Sequence, residues 1–241
     1  PFVFTAGAFL AYRSMEFIRD DVCFQNLNVK IIGMGSGLSW SSLGPTHHTT
    51  EDISVLRAIP NLMILSPATP RQVAACVQTA YEHDGPVYIK IGMNHEKEYF
   101  EDGYVHDVKK SDCLRDGKNI AVFVTGSILD EAMKACEMLE QNGISVKLIN
   151  VTTIKPFNEN EVLDIVKKIK KIAVIEEHNI YGGLASIISE TIVYNGLNAR
   201  VIPIGLNDTF AGGYGTHAMV RKVNQLDSIS IYQRLKEACK E

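Results

Sequence analysis

The chain has 241 residues, of which 46% are hydrophobic and 22% charged, and its formal net charge is −4. These values are ordinary for a globular protein with one large core or two medium ones, and the charge gives no support to nucleic-acid binding. No apolar run reaches the ~18 residues that a membrane helix needs, so we expect no membrane span.

The first part of the chain alternates helical and strand patterns. Apolar side chains at helical spacing predict a helix over about 5–24. A β-rich run over 28–33 leads into a glycine-rich loop, and the acidic run that starts at Thr50 caps a helix that reaches about Ala58. The elements expected next are a strand at 62–65, a helix from Thr69-Pro70 to about 83, and a strand at 86–91.

The alternation stops over 92–118, a polar stretch without a sustained period that we interpret as a linker. It then resumes with strands at 120–124, 146–150, 172–175 and 200–204, helices at 129–142, 158–169 and 184–194, and a helical C-terminus. Apolar strands separated by such helices predict parallel sheets with right-handed crossovers. We therefore expect two tandem three-layer α/β domains with mainly parallel sheets, over 1–108 and 109–241.

The cysteines and the first residues of the chain give an expectation about the cellular compartment of the protein. The five cysteines lie far apart in sequence, so we expect reduced thiols of a cytoplasmic protein, several of them packed as small hydrophobes. The chain begins at Pro1 without a basic segment, so we expect no signal peptide and suspect that upstream residues are missing through truncation or disorder. The basic run over 167–171 is interpreted as a solvated helix end.

Three glycines at 33, 35 and 37 follow a strand, as in a dinucleotide-binding fingerprint. The spacing fails, because Leu38 and Trp40 stand where the third glycine is required. No amphipathic helix opens directly behind the glycines to receive a pyrophosphate, so we reject this interpretation.

Several runs in order carry a family resemblance. In the first part they are Gly44-Pro45-Thr46-His47, Glu51-Asp52, Leu56-Arg57 and Ile59-Pro60-Asn61-Leu62. In the second they are Val124-Thr125-Gly126-Ser127, Ile154-Lys155-Pro156-Phe157, Val174-Ile175-Glu176-Glu177-His178 and Gly182-Gly183. The chain resembles the pyrimidine-binding and C-terminal domains of transketolase-like, thiamine-diphosphate-dependent enzymes. It is similar both to C-terminal subunits of split transketolases and to β subunits of 2-oxoacid dehydrogenases.

The resemblance implies thiamine diphosphate bound between two domains, usually of different chains. The pyrimidine would lie in an aromatic pocket of the first domain, and the diphosphate with its Mg²⁺ on a separate domain with a Gly-Asp-Gly run. This sequence has no such run, so we expect no metal site here and an N-terminal diphosphate-binding subunit or domain as partner. The family's activating glutamate would precede Pro1, so we expect the chain to be inactive alone and to work in a homodimer or a two-by-two assembly.

By position, the resemblance assigns cofactor binding to Phe9, whose ring would stack on the pyrimidine, and to Tyr12 as its aromatic neighbour. An aromatic wall stabilises a planar ring by about 0.5–1.5 kcal/mol beyond area burial. The alternative is that both are core residues of an amphipathic helix. A second aromatic position of the family is Ala6 here, which enlarges the pocket or weakens the stacking.

The resemblance assigns catalysis to His47, which would reach the donor's oxygens and move protons during addition and cleavage. The alternative is a loop histidine that only hydrogen-bonds backbone. We expect His48 to be peripheral and Glu51 to stabilise the helix start rather than catalyse. His178, next to a glycine turn, is expected to be structural, and the histidines at 83, 95, 106 and 217 are expected at the surface.

The chain departs from the family pattern at substrate-facing positions. Leu43 stands where transketolases have an aspartate, Gly35 about where they have another histidine, and Met93 where an arginine grips the substrate phosphate. A phosphate without a guanidinium loses a bidentate partner. Lys90 projects from a strand, and whether it compensates stays open. The substrate would be unphosphorylated, or the partner would bind its phosphate.

The resulting hypothesis is the C-terminal subunit or half of a transketolase-like transferase that moves a two-carbon ketol unit between sugars or related carbonyl compounds. One alternative is a 2-oxoacid dehydrogenase β subunit that passes an acyl group to lipoamide. The other is a non-catalytic assembly subunit, to which Leu43 and Met93 lend weight.

Overall fold

The structure is a computed structural model that describes residues 1–240. Helix α1 consists of a π-helical turn Phe9–Arg13, an α-helical turn Met15–Phe17 and a second π-helical segment Ile18–Cys23. The other elements of the first part are β1 (Phe2–Ala6), β2 (Lys30–Met34), α2 (Asp52–Leu56), β3 (Met63–Leu65), α3 (Pro70–Glu82) and β4 (Val87–Ile91).

The second part begins with an antiparallel strand and continues as an alternating pattern. Its elements are β5 (Asp112–Arg115), β6 (Ile120–Thr125), α4 (Leu129–Gln141), β7 (Val146–Asn150), β8 (Thr153–Lys155), α5 (Glu159–Lys168), β9 (Lys171–Asn179), α6 (Leu184–Tyr194), β10 (Arg200–Leu206), α7 (His217–Val223) and α8 (Ser228–Lys240). A short 3₁₀ turn, Gly126–Ile128, joins β6 to α4.

The strands form two five-stranded sheets, with the orders β1-β2-β4-β3-β8 and β10-β9-β6-β7-β5. All neighbours within each sheet are parallel except β3 with β8 and β5 with β7. The predicted class, α/β with mainly parallel sheets, is confirmed.

Helices cover both faces of each sheet. One cluster packs α3 on the first sheet, and another packs α4, α7 and α8 on the second. The remaining helices, α1, α2, α5 and α6, share one continuous apolar core that contains side chains of both sheets, such as Ile64 and Phe123. The two sheets therefore face each other across a common helical layer.

Strand β8 joins the two parts of the chain. It lies after β7 of the second sheet, yet it pairs with β3 at the edge of the first, with Ile64 opposite Lys155. The Lys155 ammonium also donates to the carbonyl of Arg57, at 2.9 Å. Because β8 pairs with β3, the second part of the chain contributes the last strand of the first sheet.

Two expectations about secondary structure were wrong. The helix predicted over 5–24 begins only at Phe9, because Phe2–Ala6 forms β1 and pairs in parallel with β2. The predicted linker over 92–118 contains β5 near its end, and β8 was not predicted at all. Strands β5 and β8 are short antiparallel edge strands, which give too few residues for a period to show.

Other expectations agree with the structure. All five cysteines are free, and Cys23, Cys76 and Cys136 are buried. The basic run includes the exposed Lys167 and Lys168 at the end of α5. Within residues 1–240, no helix is long and apolar enough to cross a membrane.

Candidate active site

The candidate site lies at the carboxyl ends of β1 and β2, where open α/β sheets bind ligands. After β1 the chain enters α1, which carries Phe9 and Tyr12. After β2 it forms a long connection over 35–51, here called the site loop, which carries Trp40 and His47 and ends at the start of α2. Two chain segments therefore supply the predicted site residues.

The structure brings Phe9 and His47 into contact. Their ring centroids are 5.0 Å apart in an edge-to-face arrangement. The ring centroids of Trp40 and His47 are 6.4 Å apart, also in an edge-to-face arrangement. Thr46 Oγ1 lies 3.0 Å from His47 Nδ1, and no group of residues 1–240 hydrogen-bonds Nε2. The Nε2 atom is thus the ring nitrogen left for a ligand.

These residues fit the pyrimidine end of thiamine diphosphate. Phe9 and His47 are half-buried, so they offer a flat apolar ring with an imidazole beside it. The Arg13 guanidinium carbon lies 5.0 Å from the Phe9 centroid and contributes a cation–π contact. Among residues 1–240, no group of three or more His, Cys, Asp or Glu side chains is arranged to hold a metal ion.

Tyr12 connects α1 to the start of α2. Its hydroxyl donates to Glu51 Oε2 at 2.7 Å and accepts from the Glu51 backbone N–H at 2.9 Å. Thr50 Oγ1 donates to the other carboxylate oxygen at 2.8 Å, which agrees with a stabilising role for Glu51. Burial raises the pKa of Tyr12, and the nearby charges of Asp52 and Glu51 raise it further, so the phenol stays neutral.

We expect Tyr12→Phe to lower the free energy of unfolding by about 1 kcal/mol, because Glu51 loses both a donor and an acceptor. Urea denaturation measures this change. The matched control is Tyr81→Phe, since that side chain is 71% exposed. Equal stability of the two variants would show that the Tyr12 hydroxyl adds nothing.

A buried ion pair lies beneath the start of α2. Lys90 Nζ is 2.6 Å from Asp52 Oδ1 and donates to the Thr49 carbonyl at 3.0 Å. Tyr88 donates its hydroxyl to Asp52 Oδ2 at 2.7 Å, and a Cβ on Gly33 would collide with that hydroxyl. Burial raises the pKa of Tyr88 well above its usual value, and the Asp52 charge adds to this. The Lys90 ammonium is therefore engaged by Asp52 and Thr49 within the protein, and it does not replace the family's phosphate-binding arginine.

The sequence did not indicate that Glu177, at the end of β9, contacts the site loop. Its carboxylate accepts from the backbone N–H of Leu38 at 3.1 Å and from His217 Nε2 at 2.9 Å, and it pairs with Arg221. Burial by itself raises the pKa of Glu177, but the positive charge of Arg221 and the hydrogen bonds that Arg221 and His217 donate outweigh it and hold the pKa well below its usual range. The sequence indicates only that a carboxylate at the end of a buried strand needs a partner, and does not indicate which residue that partner is.

This lowered pKa predicts a pH dependence of stability. A carboxyl whose folded pKa is depressed contributes stability above its unfolded pKa of about 4.3, and that contribution is lost as the pH falls below it. As the pH falls over that range, the free energy of unfolding of Glu177→Gln should decrease less steeply than that of the unsubstituted chain. The two slopes should differ by up to about 1.4 kcal/mol per pH unit. Denaturant unfolding at several pH values tests this, with the exposed Glu137→Gln as control; equal slopes would contradict it.

Two histidines differ from the expected surface position, and a third histidine is buried. His217 is paired with Glu177, and His106 is 8% exposed with its Nε2 2.9 Å from Thr153 Oγ1, so the surface assignment was wrong for both. His48, for which no surface position was predicted, is 3% exposed, and neither of its ring nitrogens has a hydrogen-bond partner within residues 1–240. Burial lowers the pKa of His48, so its ring is neutral near pH 7. Residues of the second part, Glu177 and Thr153, hold His217 and His106 in these positions.

The turn after β9 is structural, as expected. His178 Nδ1 lies 2.6 Å from the Asn179 carbonyl, and its Nε2 lies 3.4 Å from Ser54 Oγ on α2. Gly182 has φ +76°, and a Cβ there would collide with Ser54. Glycine is thus required both for the backbone angle and for the approach of the turn to α2.

Comparisons with known proteins match both parts of the chain. The family description "Transketolase, pyrimidine binding domain" matches residues 1–93, and "Transketolase, C-terminal domain" matches residues 109–228. A putative transketolase C-terminal section from Methanocaldococcus jannaschii is 34% identical over 243 positions, which cover 100% of this chain and 75% of that one.

Two further relatives are informative. One of the subunits of the apulose-4-phosphate transketolase of Actinobacillus succinogenes is 34% identical over 229 positions, which cover 94% of this chain and 73% of that protein. A solved split-gene transketolase, described as an inactive β4 tetramer, superposes with a TM-score of 0.91 at 28% identity. That match covers 100% of this chain and 76% of the other.

Proposed function

This chain belongs to the transketolase family, and we propose that it is the C-terminal subunit or half of a thiamine-diphosphate-dependent transketolase. The complete enzyme would transfer a two-carbon ketol unit between sugars or related carbonyl compounds. In this proposal residues 1–108 form the pyrimidine-binding domain and residues 109–241 the C-terminal domain.

One observation carries the proposal: the Phe9 ring and the His47 imidazole meet, 5.0 Å apart, at the carboxyl ends of parallel strands. Sequence matches alone do not require this, because the two residues come from different segments. Their contact supports a site with an apolar wall and a proton-transferring group side by side.

The residues of this chain have distinct roles in the proposal. The bound cofactor supplies a carbon nucleophile and holds the electron pair released when a carbon–carbon bond breaks. Phe9 gives the pyrimidine a flat apolar surface, and Tyr12 fixes α1 relative to Glu51. His47 Nε2 donates a hydrogen bond to a substrate oxygen or accepts a proton from it, in step with addition and cleavage.

A partner chain completes the site. This diphosphate-binding chain would hold Mg²⁺ and the cofactor's charged end, in a homodimer of such pairs or a two-by-two assembly. The relatives described as one subunit of a transketolase and as a split-gene transketolase support this division of labour. We propose that the chain acts on substrates whose charged end, where present, is bound by that partner, since Met93 replaces the expected arginine.

Reconstitution tests the proposed function. The chain is combined with thiamine diphosphate, Mg²⁺ and the separate subunit that contains a Gly-Asp-Gly run. Ketol transfer is then assayed with phosphorylated and with neutral ketose donors. We expect turnover that requires the cofactor and both chains. Turnover of 2-oxoacids that needs a lipoyl carrier would favour the dehydrogenase alternative, and no thiamine-dependent turnover would contradict the proposal.

A further inference from the structure

We propose that Glu177 and His217 of the second part of the chain, together with Asn94 after β4, position the site loop through a closed ring of hydrogen bonds. That these residues thereby place His47 for reaction rests on the proposed function. The ring itself is a structural feature that can be tested without substrate or cofactor.

The ring begins and ends on two adjacent residues of the site loop. Leu38 N–H donates to Glu177 Oε2 at 3.1 Å, and His217 Nε2 lies 2.9 Å from Glu177 Oε1. Asn94 Nδ2 lies 3.0 Å from His217 Nδ1 and donates to the Ser39 carbonyl at 3.1 Å. The ring therefore closes on the backbone just before Trp40.

One set of protons satisfies every bond in this ring. A neutral His217 with its proton on Nε2 donates to Glu177 and accepts at Nδ1. The two hydrogens of the Asn94 amide then reach His217 and the Ser39 carbonyl. Because each group has a single set of donor and acceptor roles that satisfies the others, the ring restrains the loop backbone.

Burial and close packing make the ring rigid on the side of the second sheet. Glu177 is 4% exposed, and Arg221 pairs with it while donating to the Ser127 carbonyl at 2.9 Å. Gly37, at φ +58°, leaves no room for a Cβ beside Glu177. The carboxylate is thus held in place before it accepts from Leu38.

A second attachment lies on the other side of Trp40. Ser41 Oγ donates to the Gly215 carbonyl at 2.8 Å, and Gly215 N–H donates back to the Ser41 carbonyl at 3.3 Å. A Cβ on Gly44 would collide with Tyr214. The segment before α7 thus follows the loop toward His47, and the loop is fixed on both sides of Trp40.

Asn94→Ala and His217→Ala break the ring with little risk to folding. Asn94 is exposed, and His217 occupies the first position of α7, where alanine is a good helix former. The Glu177–Arg221 pair and the Ser41–Gly215 bonds remain in both variants. His217→Gln is the conservative rescue, because its amide donates and accepts as the neutral imidazole does.

The readout is hydrogen exchange of the Leu38 amide in the full chain. The loss of one hydrogen bond raises the population of displaced loops, and hence the exchange rate, by about fivefold. The double variant should exchange no more than about twofold faster than either single variant, because both belong to one ring. Acrylamide quenching of Trp40, the only tryptophan of the chain, should rise in parallel.

Controls separate this positioning role from general loosening. Asn142→Ala also removes a side-chain bond to a backbone carbonyl, at 2.8 Å and at the surface, and should leave Leu38 exchange unchanged. Unchanged Leu38 exchange in Asn94→Ala and His217→Ala would overturn the proposal. So would exchange that rises equally in the β6 core, or that stays high in His217→Gln.

The two proposals can fail separately. If the reconstituted assembly transfers ketol units, His217→Ala should lower kcat more than it changes the KM for thiamine diphosphate, and the opposite pattern would contradict the placement of His47. If no ketol transfer is found but Leu38 exchange responds as described, the proposed function fails while the ring stands.

Discussion

His47→Ala is expected to lower the rate of ketol transfer by the reconstituted enzyme by about 10²–10⁴-fold, the usual contribution of a positioned acid–base group. The structure supports this size of effect because His47 contacts Phe9 and leaves Nε2 without a protein partner among residues 1–240. The KM for thiamine diphosphate should change much less than kcat. Steady-state assays with a saturating amount of the partner chain measure both quantities.

The matched control is His83→Ala. Its backbone carbonyl accepts from Lys30 at the start of β2, at the opposite end of the sheet from the site loop, and the substitution leaves that carbonyl in place. We expect the control to retain full activity. If His47→Ala retained full activity as well, the chain would be a non-catalytic assembly subunit, and the catalytic assignment would be wrong.

Lys90→Met is expected to lower the free energy of unfolding by about 3–5 kcal/mol, because it leaves the Asp52 carboxylate buried without a cation. Asp52 has no exposed surface and Lys90 is 4% exposed, so water cannot take the place of the ammonium. For a chain of this size the loss corresponds to a fall in melting temperature of about 6–20 °C. Calorimetry and urea denaturation measure it.

Lys110→Met is the matched control, since Lys110 pairs with Asp107 at 3.5 Å on the surface with 75% of its side chain exposed. Such pairs contribute about 0–1 kcal/mol. A loss in Lys90→Met as small as in the control would show that the buried pair does not hold the start of α2. The outcome also bears on the site, because α2 follows the site loop directly.

The alternation of apolar strands and helices was sufficient to predict the two parallel sheets. It was not sufficient for β8, whose three residues pair with a strand about 90 residues earlier in the chain. It was also misleading at the chain start, where Phe2–Ala6 precedes a helical pattern and was interpreted as part of it. Edge strands depend on their neighbours more than on their own period.

For the candidate site as well, the sequence indicated some of the features and not others. The sequence pointed to Phe9 and His47 because each belongs to a short run of residues that resembles the family pattern, and the structure places their rings in contact. The contact between Leu38 and Glu177 joins residues 139 positions apart, and it depends on how the second sheet packs against the first. No local pattern indicates such a contact, so His217 was misplaced at the surface.

The most direct test of the central claim is a structure of the reconstituted complex with thiamine diphosphate. We predict that the pyrimidine ring lies with its centroid about 4.5–7 Å from that of Phe9, the range of aromatic pairs, and that His47 Nε2 faces the neighbouring thiazolium ring. A pyrimidine ring bound elsewhere, away from both side chains, would contradict the account.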